Sequence, residues 1–201
     1  MEVLHLARAG TVGALAVLIV AQGLQQTSYG AAQQLVVLRL LELTGAKESQ
    51  FLTGITFAAA GIATALASLT YHRLLRRTTY RRLLIAGALL LGLALLGAAS
   101  AATPVVLIVA FVIASFFSGA LIPAFGAMIG LESPAIVQAT VFGVGSSAIA
   151  LGFGLGPLLG GLVASAAGIR AGLVVAAGLA FTLTALVGFR AREPRPSLAS
   201  P

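Results

Sequence analysis

Six long apolar stretches, each closed by a short polar or turn-forming break, make up nearly all of this chain. Between Ala9 and Leu38 there is no charged residue, and a second uncharged segment runs from Ser133 to Ile169. Stretches of about 20 apolar residues are what an α-helix needs to cross a bilayer. The pattern predicts helices over Thr11–Glu42, Phe51–Tyr71, Leu83–Ala101, Val105–Ile129, Ala135–Ala166 and Ala171–Phe189. The breaks are Ala46–Gln50, the basic run from Arg73 to Arg82, Ala102-Thr103-Pro104, Leu131–Pro134 and the turn before Ala171. A cleavable leader would fit Ala9–Ala21, but the apolar pattern continues past Gly30 with no small-residue cleavage site followed by a soluble domain. The expected architecture is an all-α membrane protein: one six-helix transmembrane bundle over residues 1–189, then a polar tail, 190–201, whose three prolines predict disorder.

Composition sharpens this. Hydrophobic residues are 59% of the chain and charged residues 8%, against about a quarter charged in soluble domains, so it is read as an integral membrane protein. With no cysteine, no aspartate and only His5 and His72, a disulfide framework, a metal site and most catalytic triads lack their parts. Neither a cofactor nor a catalytic residue is expected. A serine protease working inside the membrane would need a histidine at depth, and both histidines fall at helix ends.

The net charge of +7 lies at helix ends. With six crossings, Arg8, Arg73, Arg76, Arg77, Arg81, Arg82, Arg190, Arg192 and Arg195 share one side, and Arg39, Lys47 and Arg170 the other. The positive-inside rule then puts both termini and the Arg73–Arg82 loop in the cytoplasm, in the cell (inner) membrane. The cluster Arg73, Arg76, Arg77, Arg81 and Arg82 reads as an orientation signal that meets anionic headgroups. Ten residues between two membrane helices offer no surface for reading nucleic acid.

Within the fifth stretch, Gly152, Gly156 and Gly160 recur every four residues and share one face, and Pro157 removes a helical hydrogen bond. Such a face either lets two membrane helices pack closely or serves as a pivot. The run Gly152-x-x-x-Gly156-Pro157-x-x-Gly160-Gly161 resembles the antiporter motif of the major facilitator superfamily of secondary transporters. The resemblance implies a rocking interface between two helical bundles and a fold of two six-helix halves around a solute cavity. This chain resembles one half, the carboxy-terminal one of a drug exporter. Leu74, Arg77, Arg81 and Arg82 lie on the family's loop motif between helices two and three, Ser118–Ala124 resembles a fourth-helix stretch, and Gly156–Ala171 resembles helix eleven and the turn after it. Two departures stand out: His72 and Thr79 occupy glycine positions of the loop motif, and Arg76 replaces its aspartate, which removes the basis for a charge latch there.

Gln22, Gln25, Gln26, Tyr29 and Gln33 form one stripe of the first helix, with Gln34 off it. Amides and a phenol at membrane depth must face protein or water, so the stripe points inward, either hydrogen-bonding neighbouring helices or lining a solute path. Ser115, Phe116 and Ser118 in the fourth helix suit a greasy, loosely specified pocket, or simple packing. All five acids, Glu2, Glu42, Glu48, Glu132 and Glu193, fall at helix ends or in tails, so a proton carrier would have to come from a partner.

The expected function is therefore half of a transporter exporting amphipathic small molecules by alternating access. Its partners would be the bilayer, the solute and a second six-helix half, supplied by a homodimer or a separate chain. The alternative is a membrane scaffold or remnant that kept the fold and does not transport.

Overall fold

A computed structural model describes the backbone of residues 2–75 and 78–190 and the side chains of 12–73, 75 and 78–190. Arg76 and Arg77 of the basic loop, and the expected tail beyond Arg190, lie outside the described residues. The elements are α1 (Glu2–Thr44), α2 (Ala46–Leu75), α3 (Tyr80–Ser100), α4 (Pro104–Glu132), a 3₁₀ turn (Ala135–Val137), α5 (Gln138–Ala167) and α6 (Ile169–Arg190). Each predicted helix is present, with several ends moved: α1 begins at Glu2 rather than Thr11, α2 runs on to Leu75, α3 begins at Tyr80 and α4 ends at Glu132. The polar stretch Ala46–Gln50, expected as a turn, is the first turn of α2, because Gly45 reverses the chain in one residue with φ at +76°. Ala135–Val137 is a separate 3₁₀ turn rather than the start of α5.

Local chemistry sets several ends. Thr79 and Thr103 accept backbone N–H bonds from Arg82 and Val106, capping α3 and α4, and Pro104 opens α4 where no donor is needed. Gly168, with φ at +90°, ends α5 and lets α6 begin at the next residue. Arg39 near the end of α1 donates to the carbonyl of Ala101 just after α3, which puts those two ends together; Arg81 at the start of α3 donates to Gly188 at the end of α6. The helices thus alternate in direction.

They form two layers, α2–α4–α3 and α5–α1–α6. The layers close on each other where α3 meets α6 and where α1 meets α4. Among the described residues α2 and α5 do not touch, so the bundle opens between them. The first three helices take the same relative places as the last three, an internal 3+3 repeat of opposite direction.

The core is apolar, built on Leu35, Leu91, Phe111 and Phe125, and the outside is apolar as well. Leu89, Leu90, Leu93, Val105, Val109, Ile113, Val174 and Val175 are exposed, whereas Gln25, Ser28, Thr56, Ser115 and Ser118 are inside. An apolar skin around polar interhelical contacts is what lipid as a solvent selects. Helices α2, α3, α4 and α6, together with the segment Ala135–Ala167, are long and apolar enough to cross a membrane. α1 is longer than any of these at 43 residues, and it buries Gln22, Gln25 and Gln26.

Pro123 sits inside α4 without ending it. Its ring frees the carbonyl of Gly119, and Ser68 of α2 donates to that oxygen at 3.2 Å. At the same crossing a Cβ on Gly119 would stand 2.7 Å from Thr64 Cα and 2.8 Å from Thr64 O. Gly119→Ala should therefore lower stability by about 1–3 kcal/mol, because backbone has to move. Gly61→Ala meets nothing within 4 Å and should raise it by about 0.5–1 kcal/mol. Melting curves in detergent should move in opposite directions.

Candidate functional site

The polar positions of α1 and α4 meet at the centre of the bundle. Gln25 Nε2 donates to Ser118 Oγ at 2.7 Å, and the Tyr29 hydroxyl donates to Ser115 Oγ at 2.9 Å. Ser115 Oγ in turn donates to Phe111 O of the preceding turn, and Thr64 of α2 donates to the Ser115 carbonyl at 3.2 Å. Ser28, one residue before Tyr29, donates to Ala176 O on α6 at 2.7 Å. Beneath this network the Tyr29 ring lies parallel to Phe111 at 5.8 Å, and Phe57 of α2 meets Phe111 edge-on. Each interhelical hydrogen bond of this kind contributes about 0.6 kcal/mol on average. Together they fix the register of α1 against α4.

The residues expected to line a solute path divide in two. Gln25, Ser115 and Ser118 are wholly inside the bundle, at 0%, 0% and 2% exposure, and are held by one another or by backbone. Tyr29, Gln33 and Phe116 are half-buried and reach its surface; Phe116 packs edge-on to Phe117. Gln22 and Gln26 are buried on the side of α1 that faces α5: a Cβ on Gly145 would lie 3.3 Å from Gln22 Oε1, and one on Gly152 would lie 2.8 Å from Gln26 Cβ. The Oε1 atoms of Gln22, Gln25 and Gln26 are buried with no hydrogen-bond donor among the described residues. The stripe does point inward, and three of its carbonyls remain unmatched.

Of the two readings of the glycine face of α5, close helix packing or a pivot, the contacts observed are those of close packing: Gly152, Gly156 and Gly160 lie on α1 of the same bundle. A Cβ on Gly152 would come within 2.6 Å of Gly23 O, and one on Gly156 within 2.6 Å of Thr27 O and 2.8 Å of Ala31 N. Gly160 sits over Ala31, and the Pro157 ring over Gly30. Periodicity marks a smooth face without naming its partner, and here α1 offers an equally smooth row, Gly23, Thr27 and Ala31. That row has the same four-residue spacing and was the missed signal. Gly161 lies off this seam with open space around its Cα. The face of α5 opposite the seam, with Ser147, Leu151, Gly154, Leu155 and Leu158, is exposed.

Of the basic loop, Arg73 and Arg82 are exposed, while Arg81 holds the end of α6 through Gly188 O. A cation at a helix C-terminus satisfies carbonyls that have no partner within the helix. Arg81→Ala should speed amide exchange in the last turn of α6 by about tenfold, the equivalent of about 1.4 kcal/mol. Arg73→Ala should leave that turn unchanged.

The profile of the Major Facilitator Superfamily matches residues 4–201. An uncharacterized major-facilitator-type transporter, YuxJ of Bacillus subtilis, is 33% identical over 168 residues, covering 84% of this chain and 43% of that protein. Among solved structures, the peptide transporter POT superposes with a TM-score of 0.77 at 19% identity over 87% of this chain and 37% of its own. The transporter FucP in its outward conformation gives 0.77 at 20% identity over 93% and 44%. The chain thus spans less than half the length of each of these relatives. With the repeated six-helix bundle, the apolar exterior and this match along nearly its whole length, the chain is an integral membrane protein that belongs to the major facilitator superfamily, with the six-helix fold of half such a transporter.

Proposed function

We propose that this chain is one half of a secondary transporter, resembling the carboxy-terminal half, which pairs with a second six-helix unit and exports amphipathic small molecules by alternating access. It sits in the cell membrane with both termini cytoplasmic; residues 1–189 are one bundle and the tail follows. The observation that carries this is the open side between α2 and α5. On α1 and α4, which lie between those two helices, the half-buried Tyr29 and Gln33 adjoin the Tyr29–Ser115 hydrogen bond, a mixed aromatic and hydrogen-bonding surface that needs a second wall to enclose anything. The second unit is either another copy or a separate chain.

Purified protein reconstituted with its second unit should drive efflux of an amphipathic dye from vesicles. Protein that stays a single copy, pairs with nothing and moves no dye would contradict the proposal. A second reading, a scaffold that does not transport, draws on the full burial of Gln25, Ser115 and Ser118, which a purely structural network would also display.

A further inference from the structure

A small chamber of about 90 Å³ lies between α1, α4 and α5. Gln22, Phe142, Gly145, Ser146 and Ile149 form most of its wall. Gln22 is 7% exposed, and its Oε1 is buried without a donor. The chamber exists beside that oxygen because residue 145 is glycine: a Cβ there would stand 3.3 Å from Gln22 Oε1. Ser146 is exposed, so the chamber opens to the outside at that wall.

An acceptor left unmatched in a membrane interior asks for a donor. Its surroundings select which kind. Gln22 Oε1 brings the negative end of an amide dipole to this wall, and Ser146 brings a hydroxyl. Among the described residues no lysine, arginine or histidine lines the chamber. Phe142 adds an aromatic ring, whose face attracts a cation. The volume equals that of about three water molecules at about 30 Å³ each, enough for an ammonium group and two carbons.

We propose that this chamber is a subsite for a primary ammonium group. Gln22 Oε1 and Ser146 Oγ each accept one of its N–H bonds, the third N–H stays hydrated at the open wall, and Phe142 and Ile149 flank the attached carbons. That the ammonium belongs to a transported amine rests on the transporter reading above; that the chamber binds it does not.

The probe is ethylammonium chloride, added to the purified full chain in detergent while thermal unfolding is followed by circular dichroism. A saturable rise in melting temperature is expected, because a ligand that binds only the folded state stabilises it in proportion to the logarithm of its concentration. The rise should be absent with tetramethylammonium chloride, which has no N–H, and with ethanol. It should disappear in Gln22→Leu, and in Gly145→Val, which fills the chamber while residue 22 stays a glutamine. Both variants are first checked for wild-type helicity and a single elution peak, and Ser146→Ala, at the exposed wall, should weaken the response several-fold if either variant misfolds. An equal rise with tetramethylammonium or sodium chloride, a rise with sodium acetate instead, or no rise with ethylammonium would overturn the proposal. If the rise holds while reconstituted vesicles move no amine, the subsite stands and the transporter reading falls.

Discussion

Gly156→Leu is expected to abolish the folded bundle. At this position a Cβ alone would reach Thr27 O at 2.6 Å and Ala31 N at 2.8 Å, and both are backbone atoms of α1. Backbone of a helix cannot turn aside as a side-chain end can, so α5 has to lift away from α1 along the whole seam. Inserting even one methylene into a packed interior costs about 1–3 kcal/mol, and leucine adds four carbon atoms where the first has no room. The loss should exceed about 3 kcal/mol, a large part of what holds most domains folded. Gly154→Leu, two residues away on the exposed face with nothing within 4 Å, is the control and should leave elution and helicity unchanged. Size-exclusion profiles and thermal melts of the two variants decide it. Equal behaviour would mean that α1 and α5 do not cross as described.

The second large effect concerns the α1–α4 network and separates transport from scaffolding. Gln25→Leu removes the bond to Ser118 Oγ and one carbonyl without a donor, so its cost to stability should be small, under about 1 kcal/mol. A transporter that passes solute along this face should nevertheless lose flux by at least tenfold, because Gln25 fixes α4 beside the half-buried Tyr29 and Gln33. A scaffold should keep both its partner and its melting temperature. The triple change of Gln22, Gln25 and Gln26 to leucine should deepen the loss of flux while crosslinking to the second unit persists. Undiminished dye efflux in the triple variant would remove these residues from the solute path.

What the sequence discloses here and what it withholds follow from the same physics. Lipid has no hydrogen bonds to offer, so each crossing must be a helix, and apolar runs with breaks at Ala46–Gln50, Arg73–Arg82, Ala102–Pro104, Leu131–Pro134 and before Ala171 are enough to place all six, although the first break proves to be Gly45 alone. Helix periodicity likewise shows that Gln22, Gln25, Gln26 and Tyr29 share a face and that the face is buried. It does not say against what. Gln25 finds Ser118 across 93 positions and Ser28 finds Ala176 across 148, pairings that depend on the order of helices around the bundle. The glycines of α5 illustrate the same gap: their spacing predicts close approach, and the choice of α1 as neighbour is set by the complementary row Gly23, Thr27 and Ala31. The crossing of α2 over α4 at Gly119 left no mark of its own, since a single glycine beside Pro123 has no periodicity.

In the proposed assembly the side between α2 and α5 receives a second six-helix unit. Because the chain has no cysteine, single cysteines can be introduced without background. Gly61→Cys and Gly154→Cys place the thiol on the exposed faces of α2 and α5, and Leu93→Cys and Val175→Cys on those of α3 and α6. Each is labelled in native membranes with a maleimide-benzophenone and irradiated. The account predicts protein adducts from the first two, containing a second six-helix chain identified by mass spectrometry, and only lipid adducts from the last two. Adducts confined to Leu93→Cys and Val175→Cys, or no protein adduct from any of the four, would contradict it.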